Sequence, residues 1–205
     1  WNLTDDDISD WTVSDQYANR KTGVTYTYLH QQISGIRIYN AVSTMAIRNG
    51  KVEYFANRFY PDAAHKANTN HPSLPPETAI QLAAAQLGVA LGQAPQLQSK
   101  DENRHRMTFN DCGISDHPVQ VELLFVPDEN TFRLAWNVNI ALRESADWWN
   151  VRIDALSGEF ISKNNWTVSC DPGSGYSRNG SATMPGPGIL PDQFGAGASS
   201  YNVFA

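Results

Sequence analysis

Hydrophobic and polar positions alternate with a period of two through most of the first sixty residues. This period is typical of strands with one buried face. The alternating segments are residues 11–17, 24–32, 36–48 and 52–56. The breaks between them contain turn-forming residues, above all Ser34-Gly35 and Asn49-Gly50. Residues 1–60 are therefore predicted to form a four-stranded antiparallel meander after a short N-terminal helix.

The short helix is predicted from Thr4 followed by the acidic residues Asp5, Asp6 and Asp7. A threonine can cap a helix, and carboxylates are favourable in its first turn. A calcium site is the alternative interpretation of the same three acids. A capped helix is favoured, because no calcium-loop pattern follows them.

The pattern changes after residue 60. Residues 61–76 are polar and rich in proline, which favours a linker. Pro75-Pro76-Glu77 then begins a predicted helix with the apolar stripe Ile80, Ala83, Ala84 and Leu87. Residues 92–118 are weakly periodic, with one short strand predicted at 107–110. Strands are predicted at 119–125, 134–142 and 149–153, and a last one passes through Phe160 and Ile161.

Residues 171–197 are rich in glycine, proline and serine, and an apolar cluster follows them at the end of the chain. A segment of this composition buries too little apolar surface to order itself, although it can lie extended against a partner. The apolar cluster suggests that the end of the tail docks or that the natural chain continues.

The charge balance narrows the classes of partner. The net charge of −6 and the isoelectric point near 5.3 argue against nucleic acid and anionic membrane surfaces. The first residues look like a cut end, so we expect a secreted chain whose signal peptide has been removed. The two cysteines, Cys112 and Cys170, either form one disulfide or both stay free.

The sequence contains no recognisable catalytic arrangement. H-E-x-x-H, which supplies two zinc ligands and a general base, is absent, as are G-x-S-x-G and phosphate-binding glycine loops. His105 and His117 flank Cys112, but zinc requires converging ligands at recognisable spacing. We therefore expect no catalytic residue, no metal site and no cofactor in this chain, and hence no enzyme.

One group of residues resembles a known family motif. The segment containing Gln31, Gln32, Gly35, Ile36, Ile38, Tyr39 and Asn40 is similar to the fungalysin/thermolysin propeptide motif. Pro76-Glu77-Thr78-Ala79, Leu134-Ala-Trp-Asn-Val138 and Val151–Glu159 are similar to motifs of a PepSY-type domain. Residues 200–205 resemble the junction at which the pro-region of fungalysin-like zinc metallopeptidases meets the catalytic domain.

The resemblance implies an α+β fold class with two small cystatin-like units. Each unit would pack a helix on an antiparallel sheet, and an extended Gly/Pro-rich tail would follow. The implied domains are a propeptide-type domain at 1–62, a linker at 63–74, a PepSY-like domain at 75–168 and a tail at 169–205. The catalytic domain, which would hold the zinc, is not in this chain.

The implied function is that of a propeptide, which acts as intramolecular chaperone and inhibitor of its own catalytic domain in the zymogen until cleavage. The candidate protease contacts are Gln32, Gly35, Ile36 and Ile38 in the hairpin, and strand 134–142; packing inside the sheet is the alternative role, and it is favoured for most of these residues. The implied inhibitory tail and processing junction comprise Phe194, Tyr201, Asn202, Val203, Phe204 and Ala205. Two alternatives remain open: a free-standing secreted inhibitor or cystatin-like binding module, and a structural or adhesive domain of a cell-surface protein.

Overall fold

A computed structural model of the chain describes residues 2–103 and 105–167, which belong to one compact unit. These residues form one mixed sheet of ten strands and two short helices. A 3₁₀ turn, Asp6–Ile8, precedes the first strand. The strands of the first half are β1 (Trp11–Asn19), β2 (Val24–Ile33), β3 (Ile36–Arg48) and β4 (Lys51–Ala56). The helices are α1 (Ala63–Lys66) and α2 (Pro76–Gln86), and the remaining strands are β5 (Leu97–Lys100), β6 (Arg106–Phe109), β7 (Gln120–Asp128), β8 (Thr131–Ala141), β9 (Trp148–Asp154) and β10 (Phe160–Asn165).

The predicted fold class, two cystatin-like units that each pack a helix on a sheet, is wrong. Strand is the dominant secondary structure of the described residues, and their ten strands are connected in a single sheet. The first half has no helix long enough to cover a sheet, since its 3₁₀ turn has three residues and α1 has four. The error arises because strand pairing between distant parts of a chain leaves no local periodic signal.

The predicted strands of the first half are confirmed, whereas the predicted helix capped by Thr4 is a three-residue 3₁₀ turn without a side-chain cap. Strands β1 to β4 pair in chain order as an antiparallel meander. Ser34 and Gly35 connect β2 to β3 with φ angles of 53° and 77°, and Ile33 pairs with Ile36 on either side of them. Two consecutive positive φ angles are characteristic of a type I′ turn, whose twist matches that of the paired strands.

Strand β3 joins the two halves of the sheet. Beyond the hairpin turn its residues 38–41 bulge away from β2, and regular pairing resumes where His30 faces Val42. In the same region Arg37 pairs with Leu124 and Ile38 with Phe125, both parallel. One strand therefore carries antiparallel pairs with β2 and parallel pairs with β7, which merges the two predicted sheets into one.

We call the place where residues 36–39 of β3 meet residues 124–125 of β7 the joint. The side chains of β3 at this joint alternate between two environments. Ile36 and Ile38 are almost completely buried in the main hydrophobic core, which also contains Ile80 of α2. Arg37 points to the other face. Its Nε donates to Glu122 Oε1 at 2.6 Å, its NH2 group donates to Glu122 Oε2, and Arg106 Nε donates to Glu122 Oε1 at 3.2 Å. A hydrophobic contact and an ion pair thus hold the two strands from opposite sides.

A buried polar network connects the N-terminal turn to the meander. Gln31 is fully buried, and its Nε2 donates to the carbonyl oxygens of Asp7 and Tyr60 while its Oε1 accepts from Tyr60 N–H. The Asp7 carboxylate accepts hydrogen bonds from Thr4 N–H, Thr4 Oγ1 and Ala63 N–H at 2.9–3.0 Å. Because Gln31, Asp7 and Ala63 are buried, their polar groups would be costly to leave without a partner.

The polypeptide between the predicted domains is packed against the second half. Residues 63–74 contain α1, and the backbone N–H groups of Ser73 and Leu74 donate to Ala155 O at 3.0 and 2.8 Å. Trp136 Nε1 donates to Leu74 O at 2.7 Å. The domain boundaries themselves, at 62/63, 74/75 and 168/169, stay predictions.

Replacing Asp7 with asparagine should lower the free energy of unfolding at pH 7 by about 2–3 kcal/mol. Burial raises the pKa of the Asp7 carboxyl, but its hydrogen bonds outweigh burial and lower the pKa from 3.8 to about 2. A carboxyl whose pKa is lower in the folded state than in the unfolded chain stabilises the fold at pH values above its unfolded pKa. This contribution is lost as the pH falls from about 4 through about 2. Denaturant unfolding of the wild type and of Asp7→Asn across this range measures the effect. The exposed neighbour Asp6, changed to asparagine, is the control, and an equal loss there would contradict the role assigned to Asp7.

Replacing Glu122 with glutamine should destabilise the chain by about 2 kcal/mol, because it removes the carboxylate shared by Arg37 and Arg106. The Arg37 and Glu122 side chains are only 18% and 15% exposed, so water replaces the lost partner poorly. Glu53→Gln is the matched control. The Glu53 and Arg48 side chains are each 43% exposed, so their ion pair should contribute about 0.5 kcal/mol or less to the free energy of unfolding. Equal losses for the two variants in urea unfolding would show that the joint does not depend on this ion pair.

Candidate functional site

The hairpin tip that carries the family resemblance is held in place by its own polar contacts. Gln32 Nε2 donates to Gly35 O at 3.1 Å, and Gly35 N–H donates to Asp10 Oδ2 at 2.9 Å. Gln32 and Gly35 are half-buried, whereas Ile36 and Ile38 lie inside the core. Contact between any of these four residues and a protease stays a prediction.

A groove of about 630 Å³ lies beside this tip. Its apolar base is formed by Ile36, Met107, Leu123 and Trp136, which come from four different strands. Its rim is formed by the tip residue Ser34, by residues 70–77 and by the β5–β6 hairpin. The two elements predicted as protease contacts, the hairpin and strand 134–142, therefore meet at one recess through Ile36 and Trp136.

The walls of the groove differ in character. The 70–77 wall is fixed by the hydrogen bonds of Ser73, Leu74 and Trp136 described above. The opposite wall includes β5, which pairs only with β6 among the described residues. An edge strand of this kind offers backbone N–H and C=O groups to another extended chain. Leu97 on β5 lines the groove and is 47% exposed.

The groove has the properties of a binding recess. Its volume is within the range of roughly 300–1,000 Å³ that is usual for ligand sites, and its base is apolar with polar groups at the rim. Lys100, His71, His105 and Glu77 supply those polar groups. In residues 2–103 and 105–167, no three histidine, cysteine or acidic side chains are grouped so that they could hold a metal ion. An apolar base beside the edge of β5 is an arrangement that suits an extended chain.

The other face of the sheet carries a row of polar residues paired directly across five strands. The row consists of Arg106, Glu122, Asn137, Arg152 and Ser162. Arg152 is 1% exposed and donates to Ser162 Oγ at 2.6 Å, to Asn150 Oδ1 at 3.1 Å and to Asn164 Oδ1. Its guanidinium carbon lies 4.4 Å from the centre of the Tyr39 ring. Burial lowers the pKa of Arg152, and the proximity of Tyr39 partly opposes this effect.

This polar row explains two positions of the propeptide-like segment. Arg37 and Tyr39, which alternate with Ile36 and Ile38, contact Glu122 and Arg152 of the second half. Both sides of the segment are therefore used for attachment within the chain. One atom of the row, Asn137 Oδ1, is buried and has no hydrogen-bond partner among the described residues.

Sequence reasoning missed the groove and the polar row. Neither has a contiguous motif, because strands distant in sequence contribute one or two residues each. Local signals did exist: Glu122 interrupts the apolar run around Val121 and Leu123, and Arg152 follows Val151 in a strand that is otherwise largely buried. These charges in buried strands indicate partners inside the protein.

The predicted tail and disulfide lie partly outside the described residues. This applies to Cys170, Phe194, Tyr201, Asn202, Val203, Phe204 and Ala205. Cys112 is buried, with its Sγ 3.5 Å from Asn110 O. Burial, together with the Asp111 carboxylate, raises the pKa of its thiol to about 11. The pairing of Cys112 with Cys170 stays a prediction.

Comparison with known proteins identifies part of the chain. Residues 9–59 match the family model of the Fungalysin/Thermolysin Propeptide Motif. No curated protein matches the sequence significantly. Within residues 2–103 and 105–167, the helices are all too short or too polar to cross a membrane.

Two solved structures show weak similarity. The C-terminal domain of YpeB from Bacillus megaterium is 11% identical, with a TM-score of 0.40, and the match covers 80% of this chain and 68% of that one. A candidate lipoprotein from Clostridium difficile 630 is 9% identical, with a TM-score of 0.28, and the match covers 78% of this chain and 86% of that one. TM-scores this low establish no common fold, and the PepSY-like assignment of residues 75–168 draws no support from them.

The matched residues comprise β1, β2, β3 and β4 together with the hairpin tip. The motif is a non-catalytic propeptide region of secreted peptidases, which agrees with the prediction that this chain is not an enzyme. Residues 9–59 of this chain are therefore similar to the Fungalysin/Thermolysin Propeptide Motif.

Proposed function

We propose that this chain is the propeptide of a secreted fungalysin-like zinc metallopeptidase and that it assists folding of the catalytic domain and inhibits it until cleavage. The observation that carries the proposal is the match of residues 9–59 to the propeptide motif. Its partner is the catalytic domain of the same precursor. The zinc ion belongs to that domain, and this chain contributes no ligand to it.

The geometry of the joint supports a role as a rigid template. The motif hairpin is attached to the second half by core packing of Ile36 and Ile38 and by the Arg37–Glu122 ion pair. A surface fixed in this way loses little conformational entropy when a partner binds. A template for folding needs this property, because it must favour one arrangement of a chain that is still mobile.

We place the contact with the catalytic domain at the groove beside the hairpin tip. The occupant we propose is an extended segment of that domain, with an apolar side chain over the groove base and its backbone along β5. The apolar base and the available edge of β5 support this choice. The groove lies next to the motif hairpin, so the contact would adjoin the segment that the family model covers.

The tail would contribute separately to inhibition. A peptide tethered to a docked domain has a high effective concentration at a neighbouring site, even when its intrinsic affinity is low. We propose that residues 194–205 are delivered in this way to the catalytic cleft. Cleavage at the junction would then remove the tethering advantage without destroying any contact.

Inhibition by the purified chain tests the proposal directly. Residues 1–205 are added to the catalytic domain of the same precursor, and peptide hydrolysis is followed; a parallel sample contains residues 1–193. The full chain should inhibit in a dose-dependent manner, and the truncated chain should inhibit more weakly by about tenfold, since the tether acts by effective concentration. Equal inhibition would remove the tail from the mechanism. No inhibition, with no improvement in refolding of the denatured catalytic domain, would overturn the proposed function.

Replacing Leu97 with glutamate tests the groove. The substitution places a charge at the wall of an apolar recess, and it should weaken inhibition by about tenfold or more, because burying an unpaired carboxylate at a contact is costly. Val52→Glu is the matched control: Val52 is also an exposed apolar residue of a strand, 57% exposed, but it lies on β4 and does not line the groove. Unchanged inhibition by Leu97→Glu, or an equal loss in both variants, would exclude the groove as the contact.

A further inference from the structure

A histidine lies at the joint between the two halves of the sheet. His30 is half-buried on β2, opposite Val42 of β3 and Thr12 of β1. The next residue on the same face of β2 is Gln32, which pairs with Arg37. His30 is therefore placed beside the position at which β3 leaves β2 and begins to pair with β7.

The charges around His30 are unequal. Arg37 of β3 and Arg106 of β6 are cations, and the carboxylate that faces them is Glu122 of β7, which both arginines already bind. Two further carboxylates lie along this edge: Asp15 of β1, which pairs with Tyr28, and Asp10, whose carbonyl oxygen accepts from Gln32 N–H and whose Oδ2 accepts from Gly35 N–H. Arg37 and Arg106 thus share the Glu122 carboxylate before His30 is considered.

We propose that His30 makes this joint acid-sensitive: protonation of its imidazole adds a third cation beside Arg37 and Arg106, with Glu122 as their shared carboxylate, and loosens the pairing of β3 with β7. The repulsion acts where the motif hairpin is attached to the second half. The four-stranded meander and the β7–β10 strands each keep their own antiparallel pairing.

The burial of His30 and the charges around it determine the direction in which its pKa moves. Burial and the Arg37 charge lower the pKa of His30 from 6.5 to about 4, with Glu122 opposing and Arg106 adding to the shift. Between pH 6.5 and about 4, this histidine is largely neutral in the folded state, whereas the same histidine in the unfolded chain is already protonated. Its contribution to stability is complete above pH 6.5 and is lost as the pH falls from 6.5 through about 4.

Acid would consequently change the position of the motif hairpin. If the hairpin and groove contact the catalytic domain, acid would weaken that contact as well; this step alone rests on the proposed function. The acid response of the isolated chain can be measured without any peptidase, so the two proposals can fail independently.

The test compares unfolding of the full chain at pH 7, 6, 5 and 4.5 for the wild type, His30→Gln and His71→Gln. For each unit by which the pH falls, the protonation of His30 alone should raise the unfolding equilibrium constant of the wild type by up to about tenfold. His30→Gln should lack this component, and His71→Gln, which changes an exposed loop histidine, should retain it. Identical pH dependence in the wild type and His30→Gln would overturn the proposal.

A second variant separates charge from structure if His30→Gln folds poorly. Arg106 is 48% exposed, so Arg106→Gln should fold, and removal of its charge should raise the pKa of His30. NMR titration of the histidine rings measures the pKa of His30 directly. The control is Arg48→Gln, which removes a cation of β3 away from the joint and should leave the pKa of His30 unchanged. Hydrogen exchange at pH 4.5 should then be faster at residues 37–38 and 124–125 in the wild type than in Arg106→Gln. Equal exchange at the joint, or a His30 titration unaffected by Arg106→Gln, would contradict the mechanism.

Discussion

Two parallel residue pairs, Arg37 with Leu124 and Ile38 with Phe125, join the four-stranded meander to the remaining strands of the sheet. Two pairs supply few backbone hydrogen bonds, so side chains must supply most of the attachment. The alternation of β3 makes this possible, because Ile36 and Ile38 enter the main core while Arg37 and Tyr39 contact charged residues on the opposite face. The strand is thereby held from both sides of the sheet.

The same arrangement brings several positive charges close together at the joint, where they repel one another. Arg37, Arg106 and Arg152 lie on or near one face, and Glu122 is the carboxylate that binds the first two. Arg152 is instead held by neutral side-chain oxygens and by the ring of Tyr39. Buried cations are retained only where such partners converge. A joint built from few backbone bonds and unbalanced charge is sensitive to any added charge, and His30 is placed to add one.

Much of the local structure could be predicted from the sequence. The Ser34-Gly35 turn, the meander and helix α2 follow from alternation, turn residues and a proline at the start of a helix. The merged sheet could not be predicted, because a parallel pairing of residues 37–38 with 124–125 depends on a fold-wide arrangement of apolar faces. Strand β5 was also missed, since its four residues are all exposed and carry no buried face. For the candidate site, the sequence identified the hairpin, whereas the groove required knowledge of which strands meet.

The residues that carry the resemblance to the propeptide motif stabilise the fold of this chain. Gln31 satisfies buried backbone groups of Asp7 and Tyr60, Gly35 adopts a positive φ in the turn, and Ile36 and Ile38 fill the core. A residue buried in the core exposes very little of its side chain to a partner. In this chain these residues therefore fix the hairpin, and under the proposed function the contact with the catalytic domain would use accessible groups beside it. Leu97 and the edge of β5 are such groups, and a substitution there can separate binding from folding where a substitution of Ile36 or Ile38 would disturb both.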